Sequence, residues 1–501
     1  MNYQSTRDSK VSISSAEAIA RGISADGGLF VPESFPAITM EWVKELTALD
    51  YIGRAKAVLS LFLTDYTPEE LSACVTGAYR DSFENNEPAP LKKLTDRVSM
   101  LELWHGPTCA FKDMALQLLP HLLTRAARKT GGASTTVILV ATSGDTGKAA
   151  LEGFQDVEGT KILVFYPQDG VSDMQKRQMT TQEGDNVAVC AVEGNFDDAQ
   201  TGVKRIFTDP ATAARLADGD MAFSSANSIN WGRLVPQIVY YISAYADLVK
   251  SGQASLGDSI NVVVPTGNFG NILAGYYAKR MGLPIGRFVC ASNANRVLTD
   301  FIRTGVYDRN RDFHTTMSPS MDILISSNLE RLLYDLSGQD DRMVIGWMEQ
   351  LKENGRYEVS DEIKRKIQDL FYGATVDDEG TQRAIRDAFE RHHYLCDTHT
   401  AVALGAYAQY RSQTGDDTPA IVVSTASPYK FAPSVLSALE PVSAGEDDFA
   451  LLRRLSTISD TSIPRPLSAL EGKKIRFHGC CAPEGMEQVV LETLHLSELN
   501  L

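Results

Sequence analysis

The sequence predicts an α/β fold with parallel strands, preceded by a mainly helical N-terminal domain. From about residue 96 onward, short and continuous apolar runs alternate with helical segments, and most of these runs end in a small-polar turn. A repeated order of strand, turn and helix is typical of parallel α/β architecture. Continuous apolar runs also suit strands that are covered on both faces. We therefore expect ligands to bind at the carboxyl ends of the strands, as in other open α/β sheets.

Composition limits the classes of function. The chain has 501 residues, which predicts more than one domain, and its formal net charge of −16 argues against a nucleic-acid-binding surface. Its seven cysteines are widely spread without C-x-x-C spacing, which favours reduced thiols over disulfides or a zinc site. No run is leader-like or long enough to cross a membrane. We expect a cytoplasmic enzyme with no metal and no membrane or nucleic-acid partner.

The first part of the chain, residues 1–95, is predicted to be a mainly helical domain. A turn and a short extended piece are expected at 26–33, and apolar residues between 52 and 62 keep helical spacing. The pattern at 67–70 predicts a capping box with proline at the first helical position. Because no chemistry is clustered here, we expect a structural or covering role.

The rest of the chain predicts an α/β region from about residue 96 and a C-terminal covering segment at 441–501. Strands are expected at 137–140, 162–166, 187–192, 262–264, 288–291 and 421–423. The polar stretch 305–415 is expected to be helical with solvated charged faces, and 474–477 to resume the α/β pattern.

The segment 105–117 carries the first candidate for chemistry. A Gly-Pro turn runs into Phe111, Lys112 and Asp113, followed by a helical apolar pattern. The lysine is therefore placed near a helix N-terminus, where the helix dipole does not stabilise a cation. Partial burial there would make Lys112 a candidate for a depressed pKa and for imine formation. A solvated lysine at the start of a helix is the alternative.

Two turns between a strand and a helix are candidate anion sites. The first consists of Gly267, Asn268, Phe269, Gly270 and Asn271, whose backbone N–H groups suit a phosphate, although a plain tight turn fits equally well. The second, 142–147, is not a P-loop, because Thr142 and Ala149 occupy positions where that motif requires glycine and serine or threonine. Its hydroxyl and N–H groups suit a substrate carboxylate or phosphate, or simply cap the helix.

Three further signals are informative mainly in combination. A neutral hydroxyl in the segment 424–428 could bond a heteroaromatic ring nitrogen without protonating it. Arg233, among amides in 225–233, could hold a second oxyanion, although an exposed ion-paired arginine is the alternative. His399 could line the site, but we interpret the histidines as structural. An imine-forming lysine, a phosphate cradle and a ring-nitrogen partner are the three attachments that pyridoxal phosphate needs.

The motifs resemble those of the threonine synthase family, in its long form with an added N-terminal domain. The resemblance covers nearly the whole chain and rests on the segments 3–7, 26–33, 105–113, 142–147, 267–279 and 424–426. It implies the tryptophan-synthase-β-like fold, which is fold type II of pyridoxal-phosphate enzymes. In that fold two parallel-sheet α/β domains are expected here, a large cofactor-binding domain at 96–130 and 255–440 and a smaller one at 131–254. The resemblance also implies conversion of O-phospho-L-homoserine and water to L-threonine and phosphate. The chain departs from the family at Ser427, where histidine is frequent, and control by S-adenosylmethionine is not expected.

Individual roles follow from the same resemblance. Lys112 would be the Schiff-base lysine and the proton-transfer base, 267–271 would bind the cofactor phosphate, and Thr425 would face the pyridine nitrogen. Substrate would be bound by Ser143, Asp145 and Thr146, with Asn195, Asn230 and Arg233 as candidates for its phosphate. Three alternatives remain: a related phospho-lyase that yields 2-oxobutyrate, a serine/threonine dehydratase of the same fold, and a non-catalytic cofactor-binding protein.

Overall fold

Two parallel β-sheets flanked by helices form the body of the protein, and a small antiparallel sheet with helices packs against them. The computed structural model describes residues 1–142, 144–168, 171–443 and 445–496. No helix in these ranges is both long and apolar enough to span a bilayer. The predicted α/β class is confirmed, and its physical basis is the alternation of buried strands with helices that cover them.

The secondary structure has the following bounds. The strands are β1 (Tyr3–Ser5), β2 (Asp8–Ile13), β3 (Phe30–Pro32), β4 (Leu91–Lys93), β5 (Val98–Glu102), β6 (Thr135–Ala141), β7 (Thr160–Pro167), β8 (Val187–Val192), β9 (Met221–Ser224), β10 (Ile260–Pro265), β11 (Ile285–Ser292), β12 (Val306–Asp308), β13 (Arg356–Glu358), β14 (Phe371–Thr375), β15 (Ala420–Ser424) and β16 (Cys480–Cys481). The helices are α1 (Ser15–Arg21), α2 (Met40–Leu46), α3 (Tyr51–Phe62), α4 (Pro68–Tyr79), α5 (Asp113–Leu116), α6 (Leu119–Lys129), α7 (Asp145–Phe154), α8 (Asp173–Thr180), α9 (Phe196–Thr208), α10 (Pro210–Asp218), α11 (Trp231–Lys250), α12 (Gly270–Met281), α13 (Val297–Thr304), α14 (Leu329–Leu336), α15 (Asp341–Asn354), α16 (Asp361–Leu370), α17 (Asp378–His392), α18 (Thr398–Thr414), α19 (Ala432–Leu439), α20 (Asp448–Ser459), α21 (Arg465–Ser468) and α22 (Met486–Thr493). Short 3-10 turns occupy Glu84–Asn86, Pro319–Met321, Pro428–Phe431 and Pro483–Gly485.

The large sheet has the strand order β14-β11-β10-β15-β5-β4, and only its edge pair β4–β5 is antiparallel. The small sheet has the order β16-β8-β7-β6-β9, with parallel neighbours throughout. Every predicted strand is confirmed within one of these two sheets. Their apolar runs are buried on both faces, which explains why they were visible in the sequence.

Several elements differ from the prediction. The stretch 305–415 is not wholly helical, because it contributes the sheet strand β14 as well as the ribbon β12–β13. The expected α/β pattern at 474–477 is wrong. Those residues are neither strand nor helix, because the N–H groups of Arg476 and Phe477 both donate to the single carbonyl of Thr180 instead of a strand ladder.

The N-terminal region contains a sheet that was not predicted, with strand order β2-β1-β3 and strands of only three to six residues. The predicted capping box at α4 is present, since Thr67 and Glu70 bond each other's backbone N–H. The region is tied to α14 by an ion pair between Arg7 and Glu330 at 2.8 Å. This pair anchors the N-terminal sheet close to the loop that supports the candidate site.

The helix α11 is buried along most of its length and runs through the centre of the molecule. It falls within 131–254, which was assigned to the smaller domain, yet it packs against α2, α3, α5 and α12. Its sequence is apolar around nearly its whole circumference, as expected for a helix that is covered on all sides. It therefore links the N-terminal helices α2 and α3 to α12, the helix that follows β10 of the large sheet.

Candidate active site

Three loops meet at the carboxyl edge of the large sheet. The strands β5, β15 and β10 are parallel neighbours in the sheet. Neighbouring strands are about 5 Å apart, so the loops that follow these three strands lie side by side. These loops carry Lys112, Thr425 and the turn 267–271. The topology thus brings together three candidate cofactor attachments that are far apart in the sequence.

The lysine loop is fixed directly to the segment after β15. The Phe111 N–H donates to the Thr425 carbonyl at 2.8 Å, and the Ser427 N–H donates to the Cys109 carbonyl at 3.0 Å. Cys109 has a φ of 59°, which is uncommon for a residue with a side chain. Among the described residues, the Thr425 hydroxyl has no hydrogen-bond partner, so it is available to a ligand beside Lys112.

Lys112 is half-buried and immediately precedes α5. Burial lowers the pKa of its ammonium to about 8, because a charge loses hydration away from water. Asp145 opposes this shift, whereas the cations Lys430 and Arg233 add to it. A substantial fraction of the amine is therefore neutral near physiological pH, as imine formation and proton abstraction require.

Asp113 closes the lysine loop rather than pairing with a cation. Its buried carboxylate accepts hydrogen bonds from the Thr108 N–H at 2.9 Å and the Thr108 hydroxyl at 2.6 Å. Burial raises the pKa of this carboxyl to about 6. A Cβ at Gly106 would lie 2.6 Å from an Asp113 oxygen, so the loop needs glycine at that position.

The turn 267–271 presents unused backbone donors at the start of α12. The N–H groups of these five residues donate to no acceptor within the described part of the chain. Phe269 precedes the helix with a φ of 65°, a left-handed conformation that is costly for a bulky residue. A Cβ on Gly267 would lie 2.8 Å from the Ser320 carbonyl oxygen. The turn fits a phosphate group at a helix N-terminus.

Neutral side chains hold this turn in place. The Ser326 hydroxyl donates to the Gly267 carbonyl at 2.6 Å. The Asn271 amide oxygen accepts from the hydroxyls of Tyr240 and Tyr241 on α11, at 2.8 and 2.5 Å. Its amide nitrogen is buried and has no partner among the described residues. That unpaired donor is a second indication that an anionic or polar ligand binds at this turn.

A cluster of buried charges lies on the other side of Lys112. Asp145 begins α7, and its carboxylate accepts from Lys430 Nζ at 2.9 Å and from the Gln175 amide at 2.8 Å. Burial alone would raise the pKa of this carboxyl, but the nearby cations Lys430 and Lys112 hold it well below its usual range. Asp145 is therefore ionised at any pH where the enzyme would work.

The turn before α7 keeps some donors for a ligand. Thr142 is occupied, since its hydroxyl oxygen accepts the N–H groups of Gly144 at 3.0 Å and Gly147 at 2.9 Å. By contrast, the Thr146 hydroxyl and the N–H groups of Asp145 and Thr146 have no partner in the described ranges. Ser143, which was predicted to contact substrate, lies outside the described residues.

Arg233 is a buried cation without a carboxylate partner among the residues that the structure describes. Its Nη1 donates to the Ala226 carbonyl at 2.5 Å, and its buried Nε has no partner in the part of the chain that the structure describes. Burial lowers the pKa of the guanidinium to about 10. An isolated buried charge is costly, so this arginine is well suited to an anionic ligand.

The two predicted asparagines have other roles in the structure. Asn230 is fully buried, and its amide donates to the carbonyls of Ile19 at 3.0 Å and Ser225 at 2.9 Å while its oxygen caps α11. No N–H of this amide is left, so a contact with substrate phosphate does not fit the geometry. Asn195 is exposed and caps α9 through its side-chain oxygen.

Sequence reasoning missed Lys430 and Gln175. Lys430 lies between Tyr429 and Phe431 in a run that is otherwise apolar. This placement could have predicted a buried cation. Gln175 gave no signal, because it lies on a polar helix and reaches Asp145 only through the tertiary fold.

His399 holds the loop that contains Ser320, whose carbonyl oxygen lies close to Gly267 of the turn 267–271. It is buried, with Nδ1 2.7 Å from the Asp397 carboxylate, and its Nε2 accepts the Ser320 N–H at 3.1 Å. The proton is therefore assigned to Nδ1. His105 lies between the carboxylates of Glu102 and Glu84, which raise its pKa despite partial burial. Within the described ranges, no group of three or more His, Cys, Asp or Glu side chains could hold a metal.

Comparisons with known proteins show the family of the chain. Three family profiles match the chain: "Threonine synthase N terminus" over residues 2–79, "Pyridoxal-phosphate dependent enzyme" over residues 88–359 and "Threonine synthase, C-terminal" over residues 400–490. Threonine synthase of Pseudomonas aeruginosa is 38% identical over 437 residues, which cover 87% of this chain and 90% of that protein. The solved structure of PLP-bound threonine synthase from Brucella melitensis is 35% identical, with a TM-score of 0.87 and coverage of 99% of this chain and 100% of that one.

A second group of relatives is longer than this chain. Human threonine synthase-like 1 is 39% identical over 483 residues, which cover 93% of this chain. The chain spans only 64% of the length of that relative.

Proposed function

This chain belongs to the threonine synthase family of pyridoxal-phosphate-dependent enzymes, and from this premise we propose that it converts O-phospho-L-homoserine and water to L-threonine and phosphate. The observation that carries the proposal is the combination of a half-buried lysine with two separate candidate anion sites, which are the turn 267–271 and the buried Arg233. The reaction needs both sites, one for the cofactor phosphate and one for the phosphate that leaves the substrate.

The cofactor attachments match the residues at this edge. Lys112 would hold the aldehyde carbon, the N–H groups of 267–271 would hold the phosphate, and the Thr425 hydroxyl would face the ring nitrogen. When bound, pyridoxal phosphate supplies an electron sink for charge that develops at the substrate Cα. A neutral hydroxyl partner suits controlled proton shifts, because it does not fix a proton on the ring nitrogen.

Lys112 has a second role as a base in the proposed reaction. Once the substrate amine has replaced it, the free Nζ would accept the proton from the substrate Cα and later return it to that carbon. A pKa near 8 supports this role, because a base near the working pH can both take and give a proton.

The remaining residues would bind the two ends of the substrate. Arg233, buried and without a carboxylate partner in the described ranges, would hold the substrate phosphate until it leaves. The N–H groups of Asp145 and Thr146, which have no partner among the described residues, would hold the substrate carboxylate at the start of α7. Contacts at both ends would fix Cα close to Lys112.

One assay separates this function from its rivals. Phosphate, threonine and 2-oxobutyrate are measured together on the purified protein with O-phospho-L-homoserine, with and without added cofactor. Equal amounts of threonine and phosphate support the proposal.

The second candidate function is that of a phospho-lyase. We retain it because the "threonine synthase-like" relatives are as similar to this chain as the Pseudomonas enzyme. Release of 2-oxobutyrate with phosphate would establish it, and a colourless, inactive protein would indicate a non-catalytic role.

The substitution Lys112→Ala tests the assignment of the lysine. We expect turnover to fall by about 10³-fold or more, because both the cofactor attachment and the base are lost. The visible absorption of lysine-bound cofactor should disappear as well. Lys250→Ala, at the exposed end of α11, is the matched control and should behave as the wild type. Retained visible absorption in Lys112→Ala would show that another lysine carries the cofactor.

We also propose a cytoplasmic location. All seven cysteines are unpaired, and five of them are buried, which fits a reducing compartment. Fractionation of cells that produce the protein would test this, and recovery outside the cytoplasmic fraction would contradict it.

A further inference from the structure

Lys430 is a buried cation that joins loops from both sheets. Its side chain is 0% exposed, and its Nζ lies 2.9 Å from an Asp145 carboxylate oxygen. The same Nζ donates to the Thr108 carbonyl at 2.8 Å. Asp145 follows β6 of the small sheet, whereas Thr108 and Lys430 follow β5 and β15 of the large sheet. A single ammonium therefore connects the small domain to the loop that carries Lys112.

The Asp145 carboxylate depends on this contact. In the described part of the chain, Lys430 is the only cation within ion-pair distance of it, and Gln175 supplies a neutral hydrogen bond. A buried carboxylate that loses one of its nearby cations is held less firmly and moves toward water, while Lys112 and the Gln175 amide, which also lower the pKa of Asp145, keep it ionised. This movement would disturb the first turn of α7, where the Thr146 N–H and hydroxyl have no partner among the described residues.

We propose that Lys430 is a positioning residue for the reaction, whose ammonium latches Asp145 of the small domain to the Lys112 loop of the large domain. It acts through Asp145 and Lys112 and not by contact with substrate. The inference rests on the proposed role of Lys112 as the cofactor lysine. It assigns to Lys430 two effects, one on the position of α7 and one on the charge state of Lys112.

The second effect has a defined sign. The charged groups that face Lys112 are Asp145 on α7, Lys430 beyond β15 and Arg233 on α11. Lys430 lowers the pKa of Lys112, and Asp145 raises it. Loss of the Lys430 charge should therefore raise this pKa, and loss of the Asp145 charge should lower it. Lys430 also faces Asp113 and Cys109, whose titration it affects.

The test uses recapture of the cofactor. The full-length holoenzyme is stripped of pyridoxal phosphate, and the rate of recapture is followed by visible absorption from about pH 6 to about pH 10, around the titration of the lysine. Recapture needs a neutral Lys112, so its midpoint reports the pKa of this lysine. We expect Lys430→Met to move the midpoint up and Asp145→Asn to move it down, each by about one pH unit. Lys430→Arg should keep the wild-type midpoint.

A matched control and a double variant complete the set. Lys148→Met removes a buried lysine on α7 that pairs with Glu152, and it should leave the midpoint unchanged. The double variant Lys430→Met with Asp145→Asn removes both charges and should restore a midpoint near that of the wild type. For Lys430→Met alone, we also expect KM for O-phospho-L-homoserine to rise about tenfold, because the first turn of α7 is displaced.

A merely structural role predicts a different result. It would slow recapture in both single variants without moving their midpoints in opposite directions, and that outcome would overturn the proposal. If Lys430→Met does not fold, a downward shift in Asp145→Asn with an unchanged Lys430→Arg supports the latch, and any other pair of results rejects it. Recapture needs no amino-acid substrate, so an error in the proposed substrate would leave these midpoints unaffected.

Discussion

The phosphate cradle at 267–271 and the charged cluster around Lys112 are both suited to an anion, but the first uses backbone dipoles and the second uses charged side chains. The cradle at 267–271 offers backbone N–H groups, and neutral side chains such as Ser326 hold it in place. The cluster instead uses the buried charges of Lys430, Arg233 and Asp145. Backbone dipoles do not titrate, whereas neighbouring buried charges shift one another's pKa values.

This difference matches what each region has to do in the proposed reaction. The cofactor phosphate stays in place through the whole cycle, so a fixed array of dipoles suits it. Lys112 has to change between bound and free, and between neutral and protonated. Its pKa must therefore be adjustable, and the nearby charges of Lys430, Arg233 and Asp145 provide that adjustment.

Among the changes that compare these two regions, the largest effect is expected at Arg233 in the charged cluster. Arg233→Gln should raise KM for O-phospho-L-homoserine by roughly 100-fold, because a charge-assisted contact to phosphate is lost. Inorganic phosphate should also inhibit the variant less than the wild type. Initial rates over a range of substrate concentrations measure the first effect. Arg215→Gln, on an exposed position of α10, is the control. An unchanged KM would mean that Arg233 does not bind the leaving phosphate.

Cofactor binding at the cradle should depend on the space around Gly267 and not on the titration of a charged side chain. Gly267→Ala would place a Cβ 2.8 Å from the Ser320 carbonyl, and we expect the cofactor Kd to rise about thirtyfold. The ratio to the wild type should be the same at every pH, since no titrating group is involved. Gly346→Ala adds a carbon that has no atom of the described residues within 4 Å, so it should leave the Kd unchanged. A pH-dependent ratio would contradict the neutral character of the cradle.

The pH profile compares the two regions in a single protein. In the substrate complex the Lys112 Nζ is free, and below about pH 8 its ammonium form would predominate and could not act as a base, so kcat should rise with pH through this value. The fall in kcat between about pH 9 and about pH 7 should be about tenfold, which is the loss of the neutral form for a pKa near 8. The cofactor Kd should change much less over this range. A flat kcat profile would exclude Lys112 as the base.

The smallest effect is expected at Asn195, which caps α9 and is exposed. Asn195→Ala should reduce the free energy of unfolding by about 1 kcal/mol, measured by denaturant titration, because the cap of α9 is lost. KM and kcat should stay within about twofold of the wild type. An increase in KM well beyond that would return Asn195 to the list of phosphate ligands.

The accuracy of the sequence prediction follows from how local each signal is. The turn 267–271 and the position of Lys112 before a helix depend on neighbours in the chain, and both were recognised. Gln175 was missed because its partner Asp145 is thirty positions away and nothing local marks the contact. Asn230 looked like a ligand because an amide near an arginine suits phosphate, whereas its donors are used by backbone carbonyls.

The sequence by itself determined the fold class, the family and the position of Lys112 before a helix, because apolar periodicity, turn chemistry and motifs are properties of short segments. The tertiary structure decided which polar groups are still free to bind a ligand. Whether a donor is free depends on every group that packs around it, including groups from distant segments such as Lys430 beside Asp145. For the same reason, the depressed pKa of Lys112 was only a suggestion in the sequence and became a consequence of burial and two neighbouring cations in the structure.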